Sequence, residues 1–407
     1  MLRLSIVLVL SACVQPKVVT EARTGAWYAI DLHTHSSVGS NDTEGLSPVA
    51  DLAAVARERG LSMVVITDHS NSAGSMDCPS GDVEDCPNQG PEFPAEEAAL
   101  AEGDLGFSLV VGLEISPVYD LGTSSEPTGH IGCIPHTENA FRGLEAPVID
   151  RPVGEVEGGE GIAWCQSHDG FAIVNHPFTV AGWINYDWTS MDYDAIEVFN
   201  GGARFDSGDW DAVQAWACDV SEGRSVVPVG GSDTHRANTP TPPEGPLDQA
   251  IGFPTTWVWS QSDAPDALLA ALTAGRVMVT DPRTRLEVEA QMGTELVGPG
   301  GVISASTGMI TLKVSVEVDS PALVLEVVDL FTGACISDER VSSATSPHVE
   351  PLHLYSEVLD VGEPVEISLQ ISAEDVERLV VWVRPSTTAG LGHDGVALAA
   401  PIRIGAD

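Results

Sequence analysis

The sequence predicts an α/β protein: a seven-stranded βα barrel over residues 27–283, followed by an antiparallel β-sandwich over 284–407. Three observations carry that reading. Seven short, nearly all-apolar runs alternate with helical patterns as far as Thr280, the mark of strands buried on both faces. A His, Asp or Glu opens or closes six of the seven, as expected where strands deliver side chains to one rim. After Pro282 the pattern turns to alternation and β-branched residues between Gly, Pro, Ser and Asp turns. An open doubly wound sheet would show similar spacing in the first part.

Residues 1–26 read as a targeting segment and linker. Arg3 precedes the apolar run 4–10, and Leu10-Ser11-Ala12-Cys13 follows. That tetrad resembles the lipobox of bacterial lipoproteins, in which the cysteine becomes the lipidated first residue; the alternative is an ordinary short secretory signal. Lipidation at Cys13 implies a bacterial cell-envelope location, periplasmic or outer-surface, with the lipid as the only membrane contact. Val14 rather than Asp after the cysteine favours the outer membrane. Six cysteines then remain in a compartment that permits disulfides. Cys78 and Cys86 flank a Pro-, Gly- and Asp-rich loop suited to a local bridge. Cys133, Cys165, Cys218 and Cys335 suffice for two more, with the pairing left open. The absence of a Cys-x-x-Cys pair counts against a thiolate zinc site.

The chain has 60 Asp plus Glu against 18 Lys plus Arg, for a net charge of −42 at pH 7. Such a surface repels nucleic acid and anionic membrane faces within a Debye length. Sequence-independent nucleic-acid binding is therefore not expected; solubility or adaptation to salt accounts for the acidity.

The apolar runs are 27–32, 63–67, 108–113, 130–134, 171–175, 195–199 and 226–229. Between the first two, Ser47 as N-cap and Pro48 in the first turn begin a helix that passes through Arg59 and stops at Gly60. Residues 208–222 carry Trp210, Val213, Trp216 and Ala217 at helical spacing. The first run ends in Asp31-Leu32-His33-Thr34-His35, and imidazoles at i and i+2 of a strand share a face. Asp68-His69 follows the second run, Glu114 the third, His176 the fifth, and Asp233 and His235 the seventh. His130 opens the fourth run instead of closing it, which requires a different approach direction.

Imidazoles and carboxylates in that number suit zinc, manganese or iron. Two such ions close together lower the pKa of shared water and neutralise charge on a phosphoryl or carbonyl oxygen, so hydroxide serves as nucleophile without a Ser or Cys triad. Asp68 is placed to orient a ligand imidazole or to take a proton from water. Arg236 is either a counter-charge for a substrate phosphate or a plain surface arginine. His168 reads as a helix-end residue and His136 as loop, while His348, His353 and His393 lack ligand spacing. The stretch 183–188, with Trp183, Tyr186 and Trp188, reads as core or as the wall of a cleft.

The series Asp31–His35, Ile66-Thr67-Asp68-His69, Gly112-Leu113-Glu114, Gly129-His130, Asn175-His176-Pro177 and Gly231-Ser232-Asp233-Thr234-His235 resembles the PHP (polymerase and histidinol phosphatase) metallohydrolases. It is most similar to their CehA/McbA-like branch over residues 27–282, with 274–280 and 397–404 resembling that branch's closing strands. The resemblance implies a distorted seven-stranded βα barrel with two or three divalent transition-metal ions (Zn, Mn or Fe). By position it implies His33, His35, Glu114 and Asp233 around one ion, Glu114 bridging to a second held by His130 and His176, and His69 and His235 at a third. Many members carry another His or Asp shortly after His-x-His. The stretch here is longer and offers Asp42.

The expected function is a lipid-anchored, metal-dependent hydrolase, a phosphoesterase first, acting on a small phosphate ester. Carboxylic ester or amide hydrolysis is the alternative within the class, and a non-catalytic metal-containing surface binding protein the alternative outside it. A nucleic-acid-processing role, suggested by the family name, is opposed by the charge.

Overall fold

The computed structural model describes residues 24–69, 103, 106–115, 129–142, 144, 158–178, 192–201, 205–240, 249–337, 347–386 and 395–405. The lipobox at Cys13, the pair Cys78 and Cys86, the stretch 183–188 and His393 lie outside these residues.

Every one of the seven apolar runs forms strand. The first two are β1 (Ala26–Thr34) and β2 (Met63–Ile66). The third is cut at Gly112 into β3 (Ser108–Val111) and β4 (Leu113–Ile115). There follow β5 (His130–Pro135), β6 (Gly170–Asn175), β7 (Ala195–Asn200) and β8 (Val227–Gly231), then β9 (Thr255–Ser260) and β10 (Val277–Thr280). Among the described residues four α-helices are defined: α1 (Val49–Glu58), α2 (Gly158–Ser167), α3 (Ser207–Ser221) and α4 (Pro265–Thr273). The start of α1 differs from the expectation. Pro48 occupies the cap, no side chain caps the helix, and the buried Ser47 hydroxyl has no hydrogen-bond partner. Helix α3 begins with a capping box, Asp206 accepting from the Gly208 and Asp209 amides while Asp209 reaches back to the Asp206 N–H.

The strands do not close into one hydrogen-bonded sheet. Strands β10-β9-β1-β2-β3 lie in one sheet and β4-β5-β6-β7-β8 in another. The chain changes sheet at Gly112, between β3 and β4. The two sheets also touch through single bridges, Thr34 with Thr234 and His69 with Glu114. They enclose a common core that includes Ile30, Leu32 and Val65 from the first sheet and Ile173, Ala195 and Val229 from the second. Nor are all strands parallel: β5 runs antiparallel to both β4 and β6, and β9 to both β1 and β10.

Among its described residues the C-terminal part is built of strands, with one 3-10 turn at Ala373–Asp375: β11 (Thr284–Met292), β12 (Glu295–Val297), β13 (Val302–Ile303), β14 (Met309–Val318), β15 (Leu323–Asp329), β16 (Cys335–Ser337), β17 (His348–Val349), β18 (Leu352–Leu359), β19 (Val365–Ser372), β20 (Arg378–Pro385), β21 (Ala397–Ala399) and β22 (Ile402–Ile404). Strands β12-β11-β14-β19 form an antiparallel sheet whose alternate residues, such as Leu286, Val288, Leu312 and Val314, are buried. They pack against Leu325, Val327, Val381 and Val383 of β15 and β20. That second layer is continuous with the first sheet of the α/β part, because β21 pairs antiparallel with β10.

Helix α3 joins the two parts. Cys218 on it is bridged to Cys335, and a second disulfide among the described residues is Cys133–Cys165. Trp210 meets Trp382 edge-on at 5.9 Å. Beside that contact the buried Glu326 accepts from Trp382 Nε1 at 2.8 Å and from Arg384 Nε and Nη2 at 2.6 and 2.8 Å. Burial pushes the Glu326 carboxyl up, but the Arg384 fork and the Trp382 N–H outweigh it and hold the group below its ordinary 4.5. A carboxyl lowered on folding contributes stability above its unfolded value and loses it as pH falls through the folded one. Glu326→Gln should therefore lower Tm by roughly 2 °C at pH 7. The difference from wild type should shrink as pH falls below 4.5, measured by thermal melts across pH 3–8.

Candidate metal centre

Backbone pairing assembles the site before any side chain does. The Asp233 amide donates to the His33 carbonyl at 2.7 Å and the His35 amide to Thr234 O at 2.9 Å, tying the end of β1 to the segment after β8. The approach is close enough to demand glycine: a Cβ on Gly231 would stand 2.4 Å from His33 Cβ. On the other side the Glu114 amide donates to Asp68 O at 2.8 Å. His130 arrives through the strand reversal. Because β5 is antiparallel to its neighbours, its first residue lies beside Asn175, the last of β6. His176 and Asp233 adopt φ values of 28° and 51°, the left-handed region that non-glycine residues rarely occupy and that clusters at functional sites.

All eight residues expected as ligands converge. Glu114, 1% exposed, is the hub. Its Oε1 lies 3.1 Å from His33 Nε2, 3.1 Å from His130 Nδ1 and 3.3 Å from His176 Nε2. Its Oε2 lies 3.2 Å from His69 Nδ1 and 3.6 Å from His35 Nε2. Asp233 Oδ1 sits 3.3 Å from His33 Nε2 and 3.1 Å from His35 Nε2. The two nitrogens of His33 and His35 face each other at 3.2 Å. Asp42 Oδ2 stands 3.1 Å from His69 Nε2 and 3.2 Å from His235 Nε2, so the longer loop after His-x-His places a carboxylate at the third group.

These separations fit metal ligands. Donors about 2.0–2.1 Å from a tetrahedral ion stand about 3.3–3.4 Å apart, close to the spacings here. Four overlapping triads have ligand atoms within 4.8 Å of one another: His33/His35/Glu114, His33/His176/Asp233, His69/Glu114/His130 and His35/His69/His235. The buried Nδ1 of His69 has no hydrogen bond although Glu114 Oε2 is 3.2 Å away, as a lone pair aimed at a shared ion would leave it.

Behind the ligands lies a set of orienting groups. His33 Nδ1 faces Glu197 Oε1 at 3.1 Å, which turns Nε2 inward. Glu197 Oε2 accepts from the His176 amide and from Asn200 Nδ2. Asn175 Nδ2 donates to Glu114 Oε1 at 2.9 Å. His35 Nδ1 donates to Ser40 Oγ at 3.0 Å, and Ser40 Oγ donates to Asp68 Oδ1 at 2.9 Å. Asp68 also takes the Ser36 amide and hydroxyl. Its carboxylate is thus turned onto two serines one step behind His35, the place of a positioning group. Arg236 is not brought into the cluster: its guanidinium is 64% exposed, 3.5 Å from Glu44. Sequence reasoning missed Glu197, which stands alone in the otherwise apolar 195–199 run. A charge there needs a buried partner, and that was the available signal.

Charge balance follows from the packing. Burial disfavours the Glu114 carboxylate, yet His130 and His33 beside it hold it well below the usual range. Asp233 is likewise buried and is held down by His33 and His35. His35 is pushed down to about 4 by burial and by its neighbours His235 and His69. Asp68, raised to about 6 by burial, is only partly relieved by its serine bonds.

No family model matches the sequence, and no curated protein does. Among solved structures, the chain is similar to a two-domain protein containing a predicted PHP-like metal-dependent phosphoesterase from Bacteroides vulgatus, at 14% identity and TM-score 0.41, over 92% of this chain and 95% of that one. It is also similar to a candidate metal-dependent phosphoesterase from Bifidobacterium adolescentis, at 14% identity and TM-score 0.32, over 54% of this chain and 91% of that one. Both likenesses are loose, and the ligand geometry stands apart from them.

Glu197 belongs to none of the four triads yet fixes His33 and His176 together. Glu197→Ala should weaken divalent-metal affinity by about 10–100-fold while the protein remains folded. Competition against a chromogenic chelator measures it, and affinity equal to wild type would remove the orienting role.

Proposed function

We propose that this protein is a metal-dependent hydrolase of the PHP type, a phosphoesterase acting on a small-molecule ester at a centre of two or three divalent transition-metal ions. One observation carries the proposal: a single buried carboxylate, Glu114, offers its two oxygens to two different sets of imidazoles. That is the arrangement of a ligand shared between neighbouring ions. By the family resemblance His33, His35, Glu114 and Asp233 would hold one ion, Glu114, His130 and His176 a second, and His69 and His235, joined here by Asp42, a third; by distance His33 falls with His130 and His176 on Oε1, and His35 with His69 on Oε2. Zinc, manganese or iron suits these donors. When bound, the ions supply Lewis-acid polarisation of the ester and activation of water.

The chain's own residues do the rest. Glu197 keeps the Nδ1 proton of His33 away from the centre, and Ser40, backed by Asp68, does the same for His35. Asn175 fixes the Glu114 carboxylate through Oε1. Asp42 and His235, the most exposed members, form the open side on which substrate would enter. A second reading, carboxylic ester or amide hydrolysis, is favoured by the position of Arg236. Turned to Glu44, it supplies no phosphate contact.

Elemental analysis should find at least two transition-metal ions per chain after metal supplementation; one or none would end the multinuclear reading. With metal content checked, Glu114→Gln should lower kcat/KM by about a hundredfold or more, far beyond the loss in His235→Ala. Rates on a phosphomonoester and a neutral carboxylic ester decide between the two readings, and Arg236→Ala should leave both within about twofold.

We further propose that Cys13 carries a lipid anchor that places the enzyme at a bacterial cell envelope. No helix among the described residues is long and apolar enough to cross a membrane. Cys13→Ser should move the protein from the membrane to the soluble fraction. Retention in the membrane pellet would show the lipobox to be misread.

A further inference from the structure

A cleft of about 270 Å³ lies at the end of β8 away from the metal cluster. Val226, Val227 and Pro228 line it, whereas the segment bearing Asp233 and His235 leaves the strand's other end. The turns after α3 and α4 and the residues flanking β22 form its walls. On one side backbone meets backbone: a Cβ on Gly300 would stand 2.0 Å from the Gly275 carbonyl oxygen, so that wall carries no side chain.

Three arginines, Arg224, Arg378 and Arg403, line this cleft. The whole chain has 18 lysines and arginines against 60 acids, so the concentration is not a sample of the surface. Two of the three are direct partners in the antiparallel β20–β22 pairing, Arg378 opposite Arg403. Residues so paired share a face with Cβ atoms about 4.5–5.5 Å apart, where like charges repel. Acids attend the group from its edges. Glu377 Oε2 accepts from Arg378 Nη1 at 2.8 Å, and Asp219 Oδ1 and the Tyr193 hydroxyl take Arg224 Nη1 at 2.9 and 3.0 Å. Glu377 is half exposed, and Arg378 Nη1 also reaches Leu330 O and Thr332 Oγ1 at 3.4 and 3.5 Å. Guanidinium forks set around a concave, half-buried space match the planar pairs of oxygens on phosphate and carboxylate groups.

We propose that this cleft binds a small multivalent oxyanion, with a single phosphate group as its minimal form, at a site separate from the histidine–glutamate cluster. The ligand enters at the seam where the α/β part meets the C-terminal strands, so its binding joins residues of β8, α4 and β22.

Inorganic phosphate is the probe, added to the metal-loaded full chain at constant ionic strength with chloride as the control anion. Calorimetric titration should give saturable binding that survives in His33→Ala and weakens about tenfold or more in Arg403→Gln. Saturating phosphate should raise Tm by about 3 °C over chloride. Hydrogen exchange of the unaltered protein is the measurement that needs no variant: phosphate should slow exchange at 223–228 and 400–403. Phosphate binding that is lost in His33→Ala and kept in Arg403→Gln would assign the anion to the metal cluster and overturn the proposal. Unchanged exchange in both segments at saturating phosphate would do the same.

Discussion

The constraint on which the structure turns is the burial of one charge. Glu114 is almost wholly removed from water, and an isolated carboxylate there would cost several kcal/mol. It is tolerated because four imidazole nitrogens lie within 3.3 Å of its oxygens. Those imidazoles come from five different segments together with Glu114 itself, so satisfying one side chain requires the ends of β1, β2 and β6, the start of β5 and the middle of β4 to be brought together. Divalent ions answer the same need from the other direction, supplying positive charge where protons on the histidines otherwise supply it. The site thus lies where the two sheets meet, beside the apolar core they share.

The layer behind the ligands explains how flexible side chains become a defined centre. Glu197 spans His33 and the His176 backbone, and Asn200 holds it there. Ser40 links His35 to Asp68. His33 and His35 are thereby each fixed by a residue behind them, and the strained φ of His176 is held by the bond from its amide to Glu197. Rigid support of this kind is what separates a cluster of acids and histidines from a site able to bind metal with fixed geometry.

Much of this was readable from the chain because ligand-type residues sit at the ends of apolar runs, a pattern that survives without any knowledge of pairing. All seven runs are strands, and His33, His35, His69, Glu114, His130, His176, Asp233 and His235 meet. What escaped was information that local pattern does not contain. Strand direction leaves no trace in an apolar run, so in the sequence the reversal of β5 that brings His130 to the rim shows only as a histidine at the start of a run. The break at Gly112, where one run serves two sheets, looks like a single strand of ordinary length. Glu197 was hidden because one charge in a run of five reads as noise unless its desolvation is weighed. Arg236 was placed by its nearness in sequence to Asp233 and His235, yet side chains a residue apart turn to different surroundings, and here the guanidinium reaches Glu44.

The continuity of the long sheet across β10 and β21 has a consequence for how such chains can be taken apart or recombined. A chain ending after Pro282 would leave the β10 edge with its row of peptide groups facing water, a template for any extended segment nearby. It would also strip Val380, Trp382 and Leu398 from the cluster they share with Trp216. The C-terminal strands are thus a shutter over an otherwise adhesive border, and the α/β part is not a free-standing cassette that could be exchanged between proteins by cutting at its apparent end.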